Sequence, residues 1–109
     1  MVVSIYITCK DEKEAREISV SLLKERLVAC ANIFPVRSFY WWQEKIADER
    51  EFAIIAKSKK ENFQKVKEFV KSIHSYEVPC IVAWEVKEGN EEYLNWVREE
   101  TGGLNEKTD

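Results

Sequence analysis

Histidine occurs once in these 109 residues, proline twice, glycine three times, and cysteine three times at wide, irregular spacings. Each scarcity excludes something. A chain so poor in glycine holds no glycine-rich loop to cradle phosphate. With His74 as its one histidine it holds no zincin pair, and no Ser-His or Cys-His set with an evident orienting carboxylate, so an enzyme is a poor fit. An odd cysteine count without a C-x-x-C pair excludes a disulfide framework and a zinc knuckle, and suits reduced thiols in the cytoplasm. No apolar run approaches the ~18 residues of a membrane span. The start, MVVSIYITC, lacks a basic segment and a small-residue cleavage site, so it reads as a strand and not a leader. Charge of one sign is also missing: 17 Lys and Arg stand against 20 Asp and Glu, a net charge of -3. No basic field recruits nucleic acid or a membrane surface. The expectation is a soluble, cytoplasmic protein.

What the chain has is hydrophobic patterning and aromatic rings. From Val2 to Cys9, Val3, Ile5, Ile7 and Cys9 share one face, as in a strand with one buried side. Asp11 followed by Glu14 is a capping-box pattern, and Ala15, Ile18, Leu22 and Leu23 recur at helical spacing, predicting a helix to about Arg26. A second strand is expected from Val28 to Phe34, with Pro35 marking a bulge or an edge before pairing resumes at Val36. A turn around Glu44 and Lys45 leads to a third strand from Glu51 to Lys57. Ser58 and Glu61 form a second capping-box pattern before an apolar stripe of Phe63, Val66, Phe69, Val70 and Ile73, and this helix stops near His74, ahead of Pro79. Cys80 to Val86 is the fourth strand. Asn90 caps a short last helix that Thr101, Gly102 and Gly103 end.

The order βαββαβ predicts an α+β fold, a split βαβ sandwich with sheet order 4-1-3-2 and both helices on one face. Residues 1–103 form its single domain, and 104–109 a frayed tail. This topology gathers Cys9, Asp11, His74, Glu77 and Cys80 at one end of the sheet and sends Cys30 to the other. Phe39, Tyr40, Trp41 and Trp42 stand in succession on the hairpin, so both of its faces are apolar. Rings of that size are not left in water as a patch, and a second subunit is the expected cover for one face.

Five stretches carry a resemblance: LLKERLVACAN from Leu22 to Asn32, FYWW from Phe39 to Trp42, EKI from Glu44 to Ile46, HSYEVP from His74 to Pro79, and YLNWV from Tyr93 to Val97. In these the chain resembles the CutA divalent-cation tolerance proteins. The resemblance implies a ferredoxin-like protomer with a long hairpin between its second and third strands and a short C-terminal helix, in a homotrimer similar to the PII signalling proteins. It implies a role in tolerance of copper or other divalent metal ions, with no established enzymatic activity. Ligands proposed in bacterial members correspond to Cys9 and His74. Cys80, Glu77 and Asp11 are possible additions. Ile73 stands where those members have a first histidine, Ser75 where proline is usual, and Glu44 where glycine is common. Phe39, Tyr40, Trp41, Trp42 and Tyr76 are the expected interface residues. The other readings are a PII-like adaptor holding a small molecule or an unidentified protein partner in inter-subunit clefts and, ranked third, thiol chemistry by Cys9 with His74. The bland reading of Cys9 is a small buried hydrophobe, and that of His74 a cap on the last carbonyls of its helix.

Overall fold

A computed structural model of the protein describes residues 1–103. Tail residues 104–109 lie outside the described residues. Four strands, β1 (Val2–Cys9), β2 (Cys30–Trp42), β3 (Lys45–Lys59) and β4 (Ile81–Glu85), form one antiparallel sheet in the order β2-β3-β1-β4. That is the predicted 4-1-3-2 order. Helices α1 (Glu12–Lys24) and α2 (Phe63–Ile73) follow β1 and β3, and α3 (Glu91–Arg98) follows β4.

Alternation along β1 decides where the core sits. Val3, Ile5, Ile7 and Cys9 are at most 3% exposed and pack with Ala15, Ile18 and Leu22 of α1 and with Val66 and Val70 of α2. Each large aliphatic side chain buried there contributes about 1.5–3 kcal/mol. The other face of the sheet is treated differently. There α3 packs Leu94 and Val97 on Val2, while Val82 and Trp84 of β4 stay exposed, Trp84 with its ring 6.4 Å from that of Tyr6. No helix among the described residues is long and apolar enough to cross a membrane.

The caps follow local chemistry in two of three cases. Asp11 Oδ1 accepts from the Glu14 N–H at 2.8 Å, and Asn90 Oδ1 from the Glu92 N–H at 3.0 Å. The Ser58–Glu61 box, however, does not form. Ser58 is buried in β3, its hydroxyl donating to the Leu27 carbonyl at 2.6 Å, and a 3-10 turn over Lys60–Asn62 leads into α2 without a side-chain cap. Strand pairing outweighs the local cap here. At the end of α1, Arg26 (φ 58°) takes the left-handed position usually filled by glycine. Its N–H bonds Leu23 O and the Leu27 N–H bonds Leu22 O, both at 3.0 Å, closing the helix two residues earlier than predicted.

The hairpin is longer than its sequence suggests. β3 starts at Lys45, not Glu51, and β2 starts at Cys30 and runs through Pro35 without a bulge. Pro35 is tolerated because β2 is an edge strand, which can spare a ladder donor. Trp42 pairs with Lys45, leaving Gln43 (φ 48°) and Glu44 (φ 65°) as a two-residue loop with both residues in the left-handed region, as tight hairpins require. This arm stretches the chain to 51 × 28 × 21 Å.

Candidate metal centre and the cavity beside it

Three elements converge at the end of β1. Cys9 closes the strand, Glu14 lies in the first turn of α1, and His74 is the C-cap of α2. One ligand atom from each (the Cys9 thiol, a Glu14 oxygen and a His74 ring nitrogen) lies within 4.8 Å of the others. The His74 side chain is fully buried and the Glu14 side chain nearly so.

The imidazole and the carboxylate of this group are already engaged. The His74 ring does not cap its own helix, as one reading of the sequence has it. Nε2 instead donates to the Thr8 carbonyl of β1 at 2.8 Å, while Nδ1 accepts the Tyr76 N–H at 3.0 Å, which assigns the Nε2-protonated tautomer. Glu14 Oε1 accepts from the Lys10 N–H at 3.0 Å and Oε2 from the Ser75 N–H at 2.8 Å. Burial alone would raise the Glu14 carboxyl, but these hydrogen bonds, with nearby His74, hold it below the usual carboxylate range. Burial pushes the Cys9 thiol up to about 12, helped by the charges of Glu14, Glu51 and Asp11. Near neutral pH Cys9 is therefore a protonated thiol, and its nucleophilicity is low.

Of the predicted ligands, Cys9 and His74 meet as expected. Asp11 caps α1 instead of joining them. Glu77 is exposed and Cys80 half-buried, and both line a neighbouring cavity of about 790 Å³ along the hairpin arm. Cys30 is at the far end, its sulfur 3.1 Å from the Tyr93 hydroxyl. The hairpin rings line the same cavity and are exposed in the single chain, Phe39 by 64% and Trp41 by 73%. Tyr76 is half-buried. Its ring lies 4.9 Å from that of His74 and its hydroxyl donates to Glu51 at 2.5 Å.

Sequence reasoning missed two carboxylates. Glu14 reads as a helix cap, and its bond to Ser75 joins residues 61 apart. Glu51 reads as the start of a strand, though it is only 5% exposed. Glu51 stands at the border between the polar run Asp48–Arg50 and the apolar run from Phe52, and nothing local in the sequence marks it as buried.

Residues 3–100 match the family described as CutA1 divalent ion tolerance protein. The chain is 46% identical over 95 residues to the divalent-cation tolerance protein CutA of Archaeoglobus fulgidus, covering 87% of this chain and 93% of that one. The solved structure of that organism's protein, described as a periplasmic divalent cation tolerance protein, superposes with a TM-score of 0.91 at 44% identity, over 93% of this chain and 99% of that one. The divalent cation tolerance protein of Thermus thermophilus superposes with a TM-score of 0.90 at 45% identity, over 94% and 100%.

Proposed function

The chain belongs to the CutA1 divalent ion tolerance family, and on that footing we propose that it binds copper or another divalent ion weakly at Cys9, Glu14 and His74 as part of a response to metal. The observation that carries this is the convergence of thiol, carboxylate and imidazole within 4.8 Å, a set of three metal-ligating types found among the described residues. The donor types suit the ion. Thiolate and imidazole favour copper or zinc, and three protein ligands leave a fourth position open. The hydrogen bonding sets the terms: Cys9 must lose its proton and His74 must release the Tyr76 N–H from Nδ1. Both costs weaken the site and make it sensitive to pH.

The test is a Cu(I) and Cu(II) competition titration against a calibrated chelator, with and without reductant, on the wild type and Cys9→Ala. Binding near one ion per chain that collapses in the variant supports the site. Loose binding that the variant leaves unchanged overturns it.

The proposal includes a homotrimer. It is supported by the exposed hairpin rings and by Val82 and Trp84 on the open sheet face, an apolar surface that a second copy would cover. Monomers in sedimentation at micromolar concentration would contradict it. The compartment we propose is a reducing one, the cytoplasm, because Cys9, Cys30 and Cys80 are all free. A catalytic role is not proposed. Cys9 with a thiol near 12 and His74 with both nitrogens engaged make a weak nucleophile and base.

The cavity along the hairpin arm favours a second reading, an adaptor that holds a small molecule or a protein partner there. Partner capture that persists in the presence of a chelator would support the adaptor.

A further inference from the structure

Glu51 is a buried carboxylate without a cation. Only 5% exposed, it accepts one hydrogen bond, from the neutral Tyr76 hydroxyl, and no described residue forms an ion pair with it. Three groups around it, Tyr6, Tyr40 and Cys80, are pushed toward their protonated, neutral forms, first by burial, with the Glu51 charge contributing in each case. Glu51 lines the cavity together with Glu49 and Glu77, and among the described residues no Lys, Arg or His is in its walls. Lys10, Arg37 and Arg50 border a separate depression that shares Glu51, and Arg37 is committed to Asp48 at 2.8 and 2.9 Å. The other walls mix rings, among them Tyr40, Trp42 and Tyr76, with small polar and aliphatic residues such as Ser38 and Val78.

Carboxylates beside aromatic rings, in a cavity with no basic residue among its described walls, select a particular ligand. A positive head is drawn both to the carboxylate and to the ring faces. A hydrated inorganic ion could not use the apolar walls, whereas an organic body can. We propose that this cavity is a binding site for a small organic cation, its ammonium head against Glu51 and the Tyr40 and Tyr76 rings and its apolar body along Trp42. This rests on the reading of the cavity as a ligand site and not on metal binding at the Cys9–Glu14–His74 group, which it adjoins through Tyr76.

The test uses chelator-treated protein in its native assembly and three probes of one shape: 2-phenylethylammonium, neutral 2-phenylethanol and anionic 3-phenylpropionate, titrated by calorimetry while the tryptophan indole resonances are followed. The ammonium should bind at least about tenfold more tightly than the alcohol, with the carboxylate weakest. Glu51→Gln should bring the ammonium-to-alcohol ratio to about one. Exposed Glu77→Gln, which places no demand on folding, should lower ammonium affinity about two- to threefold and leave the alcohol unchanged. Equal binding of ammonium and alcohol, preference for the carboxylate, or no response up to about 10 mM ammonium would overturn the proposal. So would stoichiometric displacement of the ammonium by Zn(II) in the Cys9→Ala protein, which would make the cavity an inorganic cation site.

Discussion

The two faces of the sheet are built from similar residues and reach opposite ends. On the helix side, Ile5, Ile7, Ile54 and Leu22 are fully buried by the chain's own helices. On the other side and along the hairpin arm, Trp41, Trp42, Val82 and Trp84 are each at least 46% exposed. The difference lies in what each surface is for. The helix face stabilises the single chain, and the arm with the open face leaves exposed the apolar area that the proposed trimer and ligand would use. Substitutions on the two surfaces should therefore report on different equilibria.

The largest expected effect is in the covered core. Leu22→Ala removes a fully buried side chain between α1 and the sheet and should destabilise the protein by about 3 kcal/mol in urea unfolding. Trp41→Ala makes the opposite case. It should leave far-UV circular dichroism unchanged and weaken self-association by about 2 kcal/mol, read by sedimentation. A Trp41 variant that unfolds the chain without altering assembly would erase the distinction between the faces.

Glu14 sharpens the contrast between a site that is satisfied and a cavity that is not. Glu14→Gln should cost about 1–2 kcal/mol at pH 7, because the carboxylate accepts from Lys10 and Ser75. The folded-state value is lowered from 4.5. Its contribution is therefore complete above that unfolded value and is lost as pH falls through the depressed folded one. Unfolding curves of the two proteins should converge in acid and separate near neutrality. Convergence at high pH instead would reverse the assignment.

The smallest effect lies at the tip of the arm. Glu44 holds φ 65° without being glycine, and Glu44→Gly should stabilise the hairpin by about 0.5 kcal/mol in thermal unfolding. A loss of stability there would mean that the Glu44 side chain holds the turn.

The same contrast explains what the sequence could and could not disclose. Period-two alternation in β1 and the caps at Asp11 and Asn90 are local signals, and they fold as read. The arm from Lys45 to Arg50 is polar and lacks a buried face, so nothing in it announces a strand, and only pairing with β2 makes it one. Arg26 gives no sign of a left-handed helix end, because glycine is the usual mark of one. At the candidate centre, topology was enough to bring Cys9 to His74. The Thr8 carbonyl that orients the ring and the Ser75 N–H that holds Glu14 are backbone groups, whose partners no residue identity reveals.

The central claim, that a metal ion displaces the Cys9 proton, is tested most directly by the apparent Zn(II) affinity between about pH 7 and 8.5 for the wild type and Cys9→Ser. With the thiol raised to about 12, the wild type should bind about tenfold more tightly for each unit of rising pH, one proton leaving per ion, and Cys9→Ser should show a flat, weaker line. A flat wild-type line, or the same slope in both proteins, would contradict a metal centre at Cys9.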